Sequence, residues 1–215
     1  MAPDAFGKAH PFPLTVIDDF LPHDFAEELY KEILALHDFT QSNDYIFAKN
    51  KFEFPALQDI GPYGAELKRF LLSEDFSAAL STMYGRTLFV DAEFTGGGVH
   101  RGGAGSFLDM HADFERHPSE KHWVRELNIL LYMNKDWQPE YRGSLDLING
   151  ENGNSTSIEP LFNRCVLMLT KGHTLHGYKP TAFPEGMHRN SIAAYAYSLE
   201  VDEAKLAGLS TTTSW

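Results

Sequence analysis

Residues 144–178 read SLDLINGENGNSTSIEPLFNRCVLMLTKGHTLHGY, and the rhythm of this stretch decides the fold. Four short segments suited to strands follow one another: Ser144–Ile148, Thr156–Glu159, Arg164–Leu169 and Thr174–Tyr178. Asn149-Gly150 and Asn152-Gly153 punctuate them with the residues that turn the chain most readily. The pattern extends outward. Thr87–Phe94, Ser106–Asp113 and Arg125–Met133 precede the stretch, and Ser191–Leu199 follows it beyond Lys179-Pro180 and Pro184-Glu185-Gly186. Short strands that do not alternate with helices predict a sandwich or jelly roll, not a parallel sheet.

The first third has a different period. Phe25, Leu29, Ile33 and Leu36 recur at helical spacing between Asp24 and Leu36, after Pro22. A second helix runs from Ser73 through Phe76, Leu80 and Met83 and stops at Gly85. The expected architecture is mainly β with flanking helices, as one domain over residues 1–215. Residues 1–86 are mostly helical support, and residues 87–200 form a β core that carries the site.

The chain has 215 residues, enough for one well-buried core. Its formal charge of −12 repels phosphate backbones, and no Lys/Arg stripe opposes it, so nucleic acid is not an expected partner. The longest apolar runs, such as Ile129–Met133, are too short to cross a bilayer. Met1-Ala2-Pro3-Asp4 does not read as the start of a secretion signal. A soluble cytoplasmic protein is the expectation. Cys165 is the single cysteine, which excludes an internal disulfide or a cysteine-rich metal site.

Ten histidines are the main metal-ligand inventory. His111-Ala112-Asp113 is the one His-x-Asp in the chain, and residues two apart on a strand share a face. An imidazole and a carboxylate would then converge, and a histidine from a distant strand would complete a two-His-one-carboxylate face on an octahedral iron(II). Taken alone, a chance His-x-Asp is the more common reading. Downstream come His173 and His176, then Arg189-Asn190-Ser191 at the start of an apolar strand. Arg189 and Ser191 share a face, and a guanidinium fork beside a hydroxyl suits a carboxylate. His23, His37, His117 and His122 read as surface, capping or loop residues. The run Gly96–Gly105 reads as a flexible loop beside the cavity, since it lacks the Gly-Lys-Ser/Thr ending of a phosphate loop.

Leu130–Trp137, Arg142-Gly143-Ser144-Leu145, Ile158–Arg164, His176-Gly177 and Arg189-Asn190-Ser191 together resemble the iron(II)/2-oxoglutarate oxygenases of the prolyl 4-hydroxylase type. The resemblance covers about residues 88–200, and Val16–Leu21 is similar to the family's N-terminal beginning. It implies a double-stranded β-helix core of the jelly-roll, cupin-like kind. It implies that His111, Asp113 and His176 bind Fe2+, and that Arg189 pairs with the distal carboxylate of 2-oxoglutarate, assisted by Tyr132 and Ser191. His176 is preferred over His173 because Gly177-Tyr178-Lys179-Pro180 follows it, as in the family's His-Gly-x-x-Pro. Arg142 departs from the family by standing where a glycine is common, which puts a cation near the site.

The implied reaction hydroxylates an unactivated C–H bond, with O2 and 2-oxoglutarate giving succinate and CO2, and with ascorbate as a reductant. The rival readings are a cupin-like metal-dependent isomerase or hydrolase and an inactive β-sandwich binding module. The first has no use for Arg189 and Ser191 facing the metal, and the second has no use for an intact triad. The substrate is expected to be a small molecule, an amino acid or a prolyl residue, with a slight lean to the small molecule.

Overall fold

Alternation of side chains along two long strands organises the molecule. In the computed structural model, which describes residues 6–7, 9–37, 39–41 and 46–215, β6 (Trp123–Tyr132) pairs antiparallel with β11 (Arg189–Leu199). Leu127, Ile129 and Leu131 of β6 and Ile192, Ala194 and Ala196 of β11 turn one way, into a core shared with the helices. Asn128, Leu130 and Tyr132, with Arg189, Ser191, Ala193 and Tyr195, turn the other way and line a cavity. This period of two separates packing from chemistry on the same strands.

The remaining strands are β1 (Leu14–Ile17), β2 (Thr40–Gln41), β3 (Ala48–Phe54), β4 (Phe89–Val90), β5 (Gly98–His111), β7 (Leu145–Asn149), β8 (Ser155–Ile158), β9 (Arg164–Leu169) and β10 (Thr174–Tyr178). The sheet runs β1-β9-β6-β11-β5-β10-β7-β8, with β3 on β5, β2 on β3 and β4 on β11. Among the described residues every strand pairing is antiparallel, which gives the curled sheet of a jelly roll.

Three helices cover the core face. Helix α1 (His23–Ala35) buries Ala26, Leu29 and Ile33 at helical spacing. Helix α2 (Pro62–Leu71) starts on proline, whose missing N–H costs nothing at a helix start. Helix α3 (Glu74–Tyr84) is capped by Ser73, whose Oγ accepts the Phe76 N–H at 3.2 Å, and ends on Gly85 at φ 83°. A short α4 (Glu203–Leu206) follows the sheet. No helix among the described residues is long and apolar enough to cross a membrane.

Two expectations need correction. Gly98–Gly105 is not a loop, because it forms the first half of β5 and pairs with β3 and β11. Gly98 has φ 102°, and a Cβ there would lie 2.4 Å from the Phe54 carbonyl, so close strand approach demands glycine. In residues 1–86, the helices expected from the sequence are joined by α2 and by strands β1, β2 and β3. Asp38, beside the His37 read as a surface or capping residue, lies outside the described residues.

Candidate active site

β5 ends on His111, and Asp113 follows as the chain leaves the strand. β10 runs beside β5 with His176 directly opposite His111, so neighbouring strands bring together residues 65 positions apart. His111 Nε2 lies 3.6 Å from Asp113 Oδ1, and His176 Nε2 lies 3.4 Å from Asp113 Oδ2. One ligand atom from each of the three falls within 4.8 Å of the others, the geometry of a single metal ion. His173 is outside this group, with its imidazole 3.8 Å from the Glu151 carboxylate.

The donor chemistry suits a divalent cation. His111 Nδ1 lies 2.8 Å from the Asp109 carbonyl, a partner that only an N–H can use, so the lone pair sits on Nε2. Burial lowers the His111 pKa against the pull of Asp113. Burial and then the neighbouring His111 push His176 down to about 3. Both imidazoles are therefore neutral at pH 7, as metal ligands must be. Burial works to raise the Asp113 carboxyl, yet Arg125, both histidines and Asn128 together hold it well below the usual range.

Arg125 and Asn128 have no role in the sequence reading, and they shape the carboxylate. Arg125 Nη2 and Asn128 Nδ2 each donate to Asp113 Oδ2 at 2.8 Å. Arg125 Nε donates to Asn128 Oδ1 at 2.9 Å, and its guanidinium is sandwiched between the rings of Phe114 and Tyr195. Thr170 Oγ1 also donates to Asn128 Oδ1 at 2.9 Å. Both donors act on Oδ2, the oxygen nearer His176, while Oδ1 faces His111.

The cavity beyond the triad holds about 240 Å³. Arg189 lies in its wall, buried, and donates through Nε to the Gly143 carbonyl at 2.7 Å and through Nη2 to the Tyr132 hydroxyl at 3.4 Å. Its guanidinium packs over the Tyr178 ring at 4.2 Å, and Tyr178 is held by Ser106 at 2.9 Å. Burial raises the Tyr132 pKa against the lowering effect of Arg189, so its hydroxyl stays a donor. Ser191 lines the same wall, and Leu130, Leu145 and Ala193 supply apolar surface.

Arg142 adjoins Gly143, which bonds Arg189, but its own side chain is exposed and is not among the residues that line the cavity. What the position demands is backbone: φ is 55°, and its carbonyl accepts the Trp137 indole N–H at 2.9 Å. His117 is a correction. It is buried and its Nδ1 accepts the amides of Ser119 and Glu120, so it organises a turn.

Residues 97–197 match the 2OG-Fe(II) oxygenase superfamily. No curated protein matches the chain. Among solved structures, it is similar to a prolyl hydroxylase from Trichoplax adhaerens solved with a hypoxia inducible factor oxygen degradation domain peptide. The identity is 19% and the TM-score 0.67, over 96% of this chain and 90% of that one. A prolyl-4-hydroxylase from Pseudomonas putida gives 18% and 0.59, over 93% and 100%. HygX from Streptomyces hygroscopicus, solved with nickel, 2-oxoglutarate and hygromycin B, gives 16% and 0.60, over 91% and 84%. At these identities the structural likeness establishes the fold. The sequence match takes in both histidines, Asp113 and Arg189: residues 97–197 are a 2OG-Fe(II) oxygenase superfamily domain, and the protein is an oxygenase.

Proposed function

We propose that His111, Asp113 and His176 hold iron(II) and that Arg189, Tyr132 and Ser191 receive the far carboxylate of 2-oxoglutarate, in an enzyme that hydroxylates a C–H bond. The observation that carries this reading is the pairing of two features in one cavity. Two neutral imidazoles and a carboxylate converge on one wall, and a buried arginine whose side chain bonds a carbonyl and a phenol lies on another.

Each residue then has a physical task. His111, Asp113 and His176 would hold the ion from one wall, with the cavity open beyond it for the cosubstrate. Arg125 and Asn128 both hold Oδ2, which fixes the direction of the Asp113 carboxylate. Arg189 offers a fork already oriented by Gly143 and Tyr178, which lowers the ordering cost of gripping a carboxylate. Leu130, Leu145 and Ala193 keep water away from that ion pair. The bound iron and cosubstrate supply the oxidation itself, in which O2 and 2-oxoglutarate become succinate, CO2 and the new hydroxyl. A cupin-like isomerase or hydrolase would have no need of the arginine fork, and a binding module would have no need of the triad.

We place the whole chain in one domain, in the cytoplasm, acting on a small molecule or free amino acid. The charge of −12 argues against a nucleic-acid substrate. A prolyl residue of a peptide is the second reading, favoured by the likeness to prolyl hydroxylases.

The test is anaerobic addition of Fe(II) and 2-oxoglutarate, which should give a weak visible charge-transfer band. His111→Ala and His176→Ala should each abolish it, and His173→Ala should leave it. The reverse pattern for the last two would remove His176 from the ligand set. Succinate release stimulated by free amino acids, by other metabolites or by prolyl peptides then separates the substrate readings.

A further inference from the structure

Asp113 sits just outside the sheet, on a segment whose backbone must find partners elsewhere. Residues 210–214 supply several of them, beside those that the start of β6 gives to Glu115 and His117. The Ala112 N–H donates to the Ser214 carbonyl at 2.8 Å, and the Ser214 N–H returns a bond to the Ala112 carbonyl at 2.9 Å. The amides of Glu115 and Arg116 both donate to the Ser210 carbonyl, at 2.8 and 2.9 Å. Asp113 therefore lies between two anchor points on the same strap. The strap is rooted by α4, whose Leu206 is fully buried. Its far end reaches the metal face: the Trp215 ring lies 4.9 Å from the His111 ring and stacks on Phe47 at 5.0 Å and 12°. Thr213 and Trp215 line the cavity. None of this run falls within residues 97–197, the part of the chain that matches the superfamily.

We infer that residues 210–215 are a working part of the active site, a strap that positions Asp113 through its backbone and sets Trp215 as an aromatic wall at the cavity mouth. The inference rests on reading His111, Asp113 and His176 as the metal site. Among the described residues, the backbone around Asp113 bonds to β6 only beyond the ligand, where the Glu115 carbonyl accepts the Arg125 N–H at 2.7 Å. The strap adds the anchor on the Ala112 side, and small displacements of site groups are expensive. The strap does this from one side while Arg125 and Asn128 fix the carboxylate from the other. Trp215 is 42% exposed, so part of a large apolar surface is turned to whatever enters. A substrate that approaches the iron passes a ring face suited to saturated carbon, not to a strongly hydrated charge.

Co(II) is the probe, read by its visible absorption and by tryptophan emission in the full chain. Ser214→Pro deletes the N–H that bonds Ala112 and should weaken Co(II) binding by roughly 3- to 10-fold. Leu29→Ala, in the core under α1, provides a comparison that lowers thermal stability far from the site and should keep Co(II) affinity. Co(II) should quench part of the emission of the unsubstituted protein. Trp215→Phe should lose much of that response while still binding Co(II), although Trp123 and Trp137 remain. If Ser214→Pro only lowers the melting temperature and binds Co(II) as tightly as before, the strap does not position Asp113. If Trp215→Phe is quenched as fully as the parent, Trp215 is not at the metal. Failure of the unsubstituted protein to bind Co(II) overturns the metal reading and the strap's role with it, whereas equal binding and quenching in every variant overturn the strap alone.

Discussion

Arg189 and His176 show how much of the site's behaviour is set by single side chains. The Arg189 guanidinium is buried, and its fork is aimed by the Gly143 carbonyl. Arg189→Ala should weaken 2-oxoglutarate binding by roughly 30-fold or more, the equivalent of about 2–5 kcal/mol for one partly buried charge pair, with metal affinity unchanged. Unchanged 2-oxoglutarate affinity in a calorimetric titration would refute the role. The histidines predict a pH dependence. An unfolded chain protonates its imidazoles below about pH 6.5, whereas the folded site keeps His176 neutral down to about 3 and lowers His111 as well. As pH falls through that window the unfolded state takes up protons the native site refuses, so these residues cost stability on the acid side. Metal binding goes the other way, because its ligands are already deprotonated. Fe(II) affinity should change little between about pH 7.5 and pH 5.5, and a fall of tenfold or more would show the histidines titrating near their ordinary value. The three residues that converge in the candidate metal site were legible in the sequence as residue types, through His-x-Asp and the motif around His176. Arg125 was not, since an arginine inside a strand reads as exposed until a non-local partner such as Asp113 is known.

The strands that build the site differ in how plainly their sequences declare them. β9 and β10 lie where the apolar rhythm and turn residues put them, at Arg164–Leu169 and Thr174–Tyr178. The first half of β5 has no such rhythm, because glycines carry no side chain to alternate. Its strand character comes from its neighbours β3 and β11. β3 reads Ala-Lys-Asn-Lys-Phe-Glu-Phe and gains its place by pairing with β5, a choice no local preference dictates. Helix α2 is masked by Gly64 within it, where a Cβ would meet the Leu57 carbonyl at 2.5 Å. Gly177 belongs to the same class of close contact, next to His176. A Cβ there would come within 2.5 Å of the Leu108 carbonyl and 2.8 Å of the Asp109 carbonyl. Gly177→Ala should therefore prise β10 from β5 and move His176 away from Asp113. We expect weaker Co(II) binding together with a lower melting temperature, and a variant with unaltered Co(II) affinity would show that the strand pair tolerates the methyl.

Across the molecule, one apolar cluster ties the helices to the outer face of β6, β9 and β11, while the inner face carries the chemistry. The register that places His176 opposite His111 has a thermodynamic corollary. A slip of one residue in a strand pair turns every side chain to the opposite face, so only the native register presents both imidazoles to one ion. An ion held there acts as a rivet through two strands that are 65 residues apart in the chain, and it penalises every misaligned or partly opened state by its own binding energy. Added Mn(II) should slow amide hydrogen exchange most in β5 and β10, with little effect on α1, whose protection comes from the apolar cluster. Uniform slowing across the chain would mean that the ion reports global stability alone. A pattern centred on β5 and β10 would make the iron an arbiter of strand alignment as well as a reagent, so that cells short of iron would hold a less firmly registered enzyme in addition to an idle one.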